Sequence, residues 1–232
     1  VNIQTGTISG DEVSQTVSAI CYSGCVATFD NEVTRYVAVG YNNKIYYSAD
    51  GKTWNLATLS EGFTGKLYDV AFGNGVFIAP VYNTTKILTS NDGITWTYGA
   101  NDLPINCGPW PCVIYAFNKW FIAARNYTGL LESTDNGQSW NHTHEDTINS
   151  ANWMRFLRTD NHLLLLSYYD TASYYTNDGE TWHFSQYPQR HSIRGCCYHN
   201  GLAILAPYNS ATLLYSWNEG KNWYPASMPA SY

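Results

Sequence analysis

Tyrosines that stand beside a side-chain amide or carboxylate recur along the chain. They are Tyr41 with Asn42, Tyr82 with Asn83, Tyr127 with Asn126, Tyr168 with Asp170, and Tyr208 with Asn209. A phenol ring offers a flat face to the C–H side of a sugar, while the polar neighbour takes the sugar hydroxyls. The set predicts a multivalent carbohydrate-binding surface. Tyr-Asn is also a good turn pair, so a purely structural role is the alternative.

Trp110 is a further candidate for ligand contact. It stands between two prolines in the segment from Cys107 to Cys112, and a bridge between those cysteines would hold it out rigidly as a stacking platform. The alternative is that Trp110 plugs the mouth of a channel. We predict local bridges Cys21–Cys25 and Cys107–Cys112. A bridge from Cys196 or Cys197 to Cys21 or Cys25, or a free pair at 196 and 197, stays open.

Metal and catalytic patterns are weak. His142 and His144, followed by Glu145 and Asp146, resemble half a metal site, but no third ligand is identifiable, so we predict a polar surface loop without metal or cofactor. No Gly-x-Ser-x-Gly elbow, phosphate-binding loop or dinucleotide fingerprint occurs, and nothing selects a catalytic pair of carboxylates. We therefore expect a protein that is not an enzyme.

Composition narrows the possible partners. The 232 residues contain 12 Lys plus Arg against 18 Asp plus Glu, a formal charge of −6, and no basic run. Nucleic acid and anionic membrane surfaces are therefore poor candidates. Apolar runs such as Leu163 to Leu166 are far too short to span a bilayer, so we expect no membrane insertion. The 16% of aromatic residues suits β-structure.

A motif of Ser or Thr, Asp, Gly and Trp returns five times with a period of about forty residues. Each copy separates two β-rich runs and is predicted to form a hairpin turn, here called the Asp-Gly turn. The turns contain Ser48, Asp50, Gly51 and Trp54; Ser90, Asp92, Gly93 and Trp96; Ser133, Asp135, Gly137 and Trp140; Thr176, Asp178, Gly179 and Trp182; and Ser216, Asn218, Gly220 and Trp223.

Two further apolar runs precede each turn, which gives four strands per period, the pattern of propeller blades. We predict an all-β, five-bladed β-propeller over residues 18–232, with four antiparallel strands per blade. We expect residues 1–17 to form an N-terminal extension that closes the last blade, pairs with a neighbouring subunit, or is disordered. The predicted blades lie near 18–59, 66–101, 112–145, 153–187 and 193–227.

The five motifs resemble Asp-box repeats, also called BNR repeats, of sialidases, sortilin-type receptors, xyloglucan hydrolases and photosystem assembly factors. The resemblance implies that the turns are structural and lie on the face opposite the ligand site. The five tyrosines and Trp110 would then lie on the ligand face. In the fifth copy Asn218 replaces Asp and Asn222 replaces Thr, so we expect a less rigid turn. The Arg-Ile-Pro segment of sialidases is absent, and five-bladed tachylectins are the family analogy for a lectin.

The functional hypothesis is a secreted binding module for glycans or glycoproteins, without a cofactor. Sequons at Asn83, Asn126 and Asn141 together with the six cysteines favour an extracellular, glycosylating compartment. No leader follows Val1, so we expect any signal peptide to have been removed. The alternative is a glycosylated subunit of an extracellular filament or coat that self-assembles through the N-terminal strand. A glycoside hydrolase is the weaker alternative.

Overall fold

The structure, a computed structural model, is built from β-strands. It describes residues 17–22, 26–28, 31–33, 35–41, 43–123, 125–149, 152–208, 210 and 212–227. Four main sheets follow one another along the chain. Antiparallel pairs predominate in the described residues, and β7 pairs parallel with β11. The all-β, antiparallel prediction is confirmed. Within the described residues, no helix is long and apolar enough to cross a membrane.

The first two sheets contain repeats 1 and 2. Repeat 1 has the order β1-β4-β5-β6, and β2 pairs with β3 in a separate hairpin. In the second sheet β8 to β11 form repeat 2, and β7 adds parallel to β11. The strands are β1 (Val17–Tyr22), β2 (Val26–Thr28), β3 (Asn31–Val33), β4 (Tyr36–Gly40), β5 (Ile45–Ser48), β6 (Asn55–Leu56), β7 (Thr58–Leu59), β8 (Ala71–Gly73), β9 (Val76–Pro80), β10 (Ile87–Ser90) and β11 (Thr95–Tyr98).

The third sheet is repeat 3, in the order β12-β13-β14-β15, and the fourth sheet has seven strands in sequential order from β16 to β22. Repeat 4 comprises β16 to β18 and the first part of β19, and repeat 5 comprises the rest of β19 to β22. The strands are β12 (Cys112–Ala116), β13 (Lys119–Ala123), β14 (Leu130–Ser133), β15 (Asn141–Thr143), β16 (Trp153–Arg158), β17 (Leu163–Ser167), β18 (Tyr169–Thr176), β19 (His183–His199), β20 (Leu202–Pro207), β21 (Thr212–Ser216) and β22 (Tyr224–Ser227).

Two blade boundaries differ from the sequence prediction. Residues 58–59 were predicted to end the first blade, but as β7 they pair with β11 in the second sheet. Residues 188–192 were expected to connect two blades, but they lie inside the 17-residue strand β19. Its first part pairs with β18 and its last part with β20. The physical reason is that β18 begins early, at Tyr169, and its first residues pair with His191 and Ser192. His191 and Ser192 thus keep backbone partners in β18, whereas residues 187–190 fall within the register shift between Gln186 and His191.

Two compact units share the chain, and each has its own apolar core. Unit 1 comprises residues 1–122 and 131–141, and its core includes the fully buried side chains of Val37, Phe77 and Trp96. Unit 2 comprises residues 123–130 and 142–232, with Leu164 and Trp223 in its core. Strand interiors rich in branched and aromatic residues supply both cores, as the apolar runs predict.

The Asp-Gly turns share one hydrogen-bond pattern. Asp50 Oδ1 accepts the backbone N–H groups of Lys52 and Thr53, both at 2.8 Å, and Ser48 Oγ accepts that of Gly51 at 2.9 Å. These bonds to the charged form, the one from Thr53 above all, lower the pKa of Asp50 to about 2. In repeat 5, Asn218 Oδ1 accepts the N–H of Asn222 at 3.0 Å, so an amide oxygen fills the same role.

The glycine of an Asp-Gly turn also packs against the preceding repeat. A Cβ built on Gly93 would lie 3.0 Å from Val37 Cγ2, and one on Gly137 would lie 2.6 Å from Ile78 Cδ1. In unit 2, a Cβ on Gly220 would lie 2.6 Å from Leu164 Cδ1. Each contacted side chain belongs to the second strand of the repeat before. The turn therefore closes a hairpin and joins two repeats.

Candidate functional site

The strand register defines one equivalent position in all five repeats. In each repeat the Ser or Thr that opens the Asp-Gly turn pairs with a residue of the second strand. The residue five positions after that partner begins the connection to the third strand, at the opposite end of the repeat. These residues are Tyr41, Tyr82, Arg125, Tyr168 and Tyr208.

Repeat 3 therefore departs from the predicted set of five tyrosines. Trp120 pairs with Ser133, which places Arg125 at the equivalent position, whereas Tyr127 lies two residues further along. The sequence predicts Tyr127 because it adjoins an Asn, as the other tyrosines do. The pairing of the second and third strands fixes the register, however, and it places Arg125 at the equivalent position. Tyr127 is half-buried.

Tyr41, Tyr82 and Trp110 gather around a fourth ring, Tyr68, in unit 1. The Tyr68 ring centroid is 4.8 Å from that of Tyr41, 5.2 Å from that of Tyr82 and 6.0 Å from that of Trp110. The contacts with Tyr41 and Trp110 are edge-to-face, a favourable arrangement for aromatic pairs. We call these four residues the Tyr–Trp cluster. The ammonium group of Lys66 lies 5.7 Å from the Tyr82 ring centroid.

Burial and a contact with a neighbouring hydroxyl favour the protonated form of Tyr68, the residue at the centre of the Tyr–Trp cluster. Burial, followed by hydrogen bonding with Tyr41, raises the pKa of Tyr68 above its ordinary value, although a hydrogen bond with Trp110 acts in the other direction. Backbone bonds fix the neighbouring segments: Tyr82 N donates to Lys66 O at 2.9 Å, and Leu67 N donates to Gly40 O at 3.1 Å. Tyr68 thus joins the connections of repeats 1 and 2.

Main-chain bonds hold the segment that carries Trp110, and no disulfide does so. Asn83 N donates to Gly108 O and Cys107 N donates to Thr84 O, both at 2.9 Å. Cys107 is a buried free thiol whose Sγ donates to Val81 O at 3.0 Å, so the predicted Cys107–Cys112 bridge is wrong. Burial raises the pKa of the Cys107 thiol to about 11. These two backbone hydrogen bonds hold the Trp110 segment in place of the predicted bridge.

A second cluster lies in unit 2 and comprises Arg125, Tyr168, Arg194 and Tyr208. The guanidinium carbons of Arg125 and Arg194 are 4.8 and 4.6 Å from the Tyr168 ring centroid, and that of Arg194 is 5.3 Å from the Tyr208 centroid. Arg194 Nη2 also donates to the Tyr168 hydroxyl at 2.7 Å. We call these four residues the Arg–Tyr cluster.

The two clusters are built on equivalent positions. Tyr208 N donates to Ser192 O, just as Tyr82 N donates to Lys66 O, so Arg194 occupies in repeat 5 the place of Tyr68 in repeat 2. The sequence analysis missed both central residues, and it missed Arg125. The signal that could have found them is position, since each central residue lies two residues after the backbone partner of the connection (Lys66 and Ser192) and contacts two adjacent connections.

The remaining predicted site residues are placed as follows. Asp170 is half-buried and its Oδ1 accepts the backbone N–H of Thr171 at 2.7 Å. The three sequon asparagines, Asn83, Asn126 and Asn141, are exposed. Cys197 is an exposed free thiol. The N-terminal extension, Asn42, Asn209 and the predicted bridge Cys21–Cys25 lie outside the residues or side chains that the structure describes.

The His142 segment forms local contacts. His142 Nε2 lies 2.8 Å from Thr128 O, and Nδ1 lies 3.3 Å from a carboxylate oxygen of Glu145. The His144 ring is in edge contact with the Trp182 ring, with centroids 6.4 Å apart. Within the described residues, no group of three His, Cys, Asp or Glu side chains could hold a metal ion.

Comparison with solved structures identifies the fold. The chain is similar to YCF48 bound to D1 peptide (TM-score 0.66, 15% identity, covering 92% of this chain and 69% of that chain). It is similar to virginiamycin B lyase from Staphylococcus aureus (0.69, 12%, 85% and 68%), and to a chain of a nidogen/laminin complex (0.63, 8%, 87% and 76%). YCF48 and the lyase are β-propeller proteins, so the chain has a propeller fold. No protein-family model and no curated protein sequence matches it.

The lyase corrects one expectation from the sequence. The absence of familiar catalytic motifs predicts a protein that is not an enzyme, but an enzyme is among the proteins that share its fold. The physical reason is that propeller sites are assembled from several connections, so their residues need not form a contiguous motif. At 12% identity the likeness shows the fold alone.

Proposed function

We propose that the protein is a binding module that recognises saccharides through the Tyr–Trp cluster. The observation that carries the proposal is the position of Trp110, whose side chain is 44% exposed while its segment is fixed by backbone hydrogen bonds. A large exposed ring on a rigid segment loses little conformational freedom on binding. Closure of the repeats into five blades and secretion of the protein remain predictions.

The cluster offers both halves of sugar recognition. The Trp110 ring supplies an apolar face for sugar C–H groups, and its edge contact with Tyr68 holds it in place. Tyr41 and Tyr82, which contact the same Tyr68 ring, add phenol hydroxyls, and Asn83, next to Tyr82 in the chain, is exposed. Lys66 lies beside the Tyr82 ring and adds a cation to the edge of the site.

Peptide recognition is the second candidate. YCF48 was solved with a bound peptide, and the third similar chain was solved as part of a nidogen/laminin complex. Rigid aromatic side chains are also typical anchors at protein interfaces. A panel of neutral oligosaccharides and a panel of unstructured peptides, measured against the same protein, separate the two candidates.

The test compares two tryptophan variants. Trp217 is 65% exposed and lies in the Asp-Gly turn of repeat 5, away from the connections, so Trp217→Ala is the matched control for Trp110→Ala. Loss of a stacking ring should weaken saccharide binding by about tenfold in Trp110→Ala, measured by calorimetry. Trp217→Ala should bind normally. Equal affinities in the two variants, or no binding of any oligosaccharide, would refute the proposal.

Glycosylation is the competing use of the same connections. Asn83 is exposed directly beside Tyr82, so a glycan attached there would cover the Tyr–Trp cluster. The alternative role, a glycosylated subunit of an extracellular assembly, requires occupied sequons and contacts through residues 1–17. Intact-mass measurement decides this point, because an unmodified Asn83 is a condition of the binding proposal.

A further inference from the structure

We propose that the Arg–Tyr cluster binds the carboxylate or sulfate group of an acidic saccharide, while the Tyr–Trp cluster takes neutral sugar. The saccharide part of this inference rests on the proposed function. The two clusters are equivalent in the fold, yet Tyr68 is replaced by Arg194, and the connection of repeat 3 brings Arg125 where the other repeats have tyrosine. Because the two clusters occupy equivalent positions but carry different charges, we expect them to bind chemically different parts of a ligand.

The cluster concentrates positive charge on one ring. Two guanidinium groups lie 4.8 and 4.6 Å from the centroid of Tyr168, in a protein whose formal charge is −6. Among the residues that the structure describes, no carboxylate lies within ion-pair distance of Arg194. The exposed Arg194 guanidinium therefore offers its charge to an anionic group of a ligand.

Arg194 is held in a geometry suited to an oxyanion. Its Nη2 donates to the Tyr168 hydroxyl, and its guanidinium lies against the rings of both Tyr168 and Tyr208. The planar guanidinium has five N–H donors, so the bond to Tyr168 leaves others for a ligand. A guanidinium fixed by stacking matches carboxylate and sulfate oxygens through paired hydrogen bonds.

Tyr208 supplies the surface for the sugar ring that carries the anion. Its side chain is 58% exposed, and its backbone N–H donates to Ser192 O at 2.7 Å, which fixes the start of the connection. A ring stacked on Tyr208 would place its charged substituent beside Arg194. The combination distinguishes a charged sugar from a free anion, because only the sugar uses both groups.

The experiment titrates the full chain with methyl glucuronide, methyl glucoside, glucose 6-sulfate and inorganic sulfate, following the arginine Nε–H signals by NMR. We expect at least one acidic sugar to bind about tenfold more tightly than the glucoside and to shift the Arg194 signal. The glucuronide and the sulfate ester distinguish carboxylate from sulfate recognition. Equal binding of all sugars, or inorganic sulfate binding as tightly as the acidic sugars, would overturn the inference.

Two variants separate this site from the rest of the protein. Arg194→Gln should abolish the preference for the acidic sugar. Arg158→Gln removes the same charge from the other end of the repeat 4 sheet, next to Leu163, and should keep the preference. A similar loss in both variants would indicate only long-range charge and would contradict the site. Binding of neutral sugar that depends on Trp110 but not on Arg194 tests the proposed function separately.

Discussion

Replacing the glycine of one Asp-Gly turn by alanine should cost far more stability than the same change in another. Gly51 and Gly93 occupy the same position in their turns, and their φ angles are 71° and 72°. An alanine is strained by about 1–2 kcal/mol at such an angle, and this cost is common to both sites. The change in unfolded-chain entropy is also common to both, so it cancels in the comparison.

The surroundings of the new methyl group differ. At Gly51 the nearest atoms to an ideal Cβ are ring carbons of Tyr36, at 3.7 Å or more, which is ordinary contact. At Gly93 they are Arg35 Cγ at 2.8 Å, Val37 Cγ2 at 3.0 Å and Phe77 Cε2 at 3.1 Å, and both Val37 and Phe77 are fully buried. Overpacking of this kind costs about 1–3 kcal/mol, so Gly93→Ala should be less stable than Gly51→Ala by that amount.

Equilibrium urea unfolding measures the difference, provided that the slopes of the transitions agree. Adding Val37→Ala to each variant is the control, because it removes one clashing atom next to Gly93. The double variant with Gly93→Ala should then be more stable than the sum of the single effects predicts. Equal unfolding free energies for the two glycine variants would refute the claim that these turns pack between repeats.

Three further predictions concern the turns, the polar network at Glu219 and the cysteines. Hydrogen bonds hold the pKa of Asp50 near 2, below its ordinary value of 3.8, so its contribution to stability is complete above about pH 4 and is lost as the pH falls toward 2. The variant Asp50→Asn, which copies Asn218, should therefore flatten this part of the curve of unfolding free energy against pH. An unchanged curve in acid unfolding would contradict the assignment. Burial opposes ionisation of Glu219, but hydrogen bonds with His162, Asn161 and Thr159 outweigh it and lower the pKa of Glu219 to about 2. The variant Glu219→Gln should lower the unfolding free energy by about 1–3 kcal/mol. No change in urea unfolding would show that the network does not stabilise repeat 5. In alkylation without reduction followed by peptide mass spectrometry, Cys197 should react in the folded protein and Cys107 only after unfolding, and a disulfide-linked peptide containing Cys107 and Cys112 would disprove the free thiol.

Periodicity predicted the local architecture well. The recurring turns and apolar runs predicted antiparallel β-structure from repeat to repeat, because a hairpin and its flanking strands are determined by nearby residues. The side of each repeat that carries Tyr41, Tyr82, Tyr168 and Tyr208 followed from the same reasoning. These are short-range consequences of residue type and spacing.

The composition of the clusters could not be predicted in this way. Tyr68 and Arg194 come together with the tyrosines only through pairing between segments distant along the chain, such as Tyr82 with Lys66 and Tyr208 with Ser192. Arg125 was overlooked because the register of repeat 3 depends on the partner of Trp120. The rigidity of the Trp110 segment was anticipated, but its cause was wrong, since backbone bonds to Thr84 and Asn83 do not show in the local sequence.

The uninterrupted strand β19 has a consequence for how this gene can be rearranged. A tandem array normally tolerates new termini or inserted domains where one unit passes into the next, because that segment is a solvent-facing loop. Between repeats 4 and 5, His191 and Ser192 pair with β18 and Ile193 pairs with β20, so cutting the chain at these residues would break pairing on both sides. Circular permutants opened between His191 and Ile193 should therefore fail, and the last two repeats are expected to be inherited and exchanged as one block.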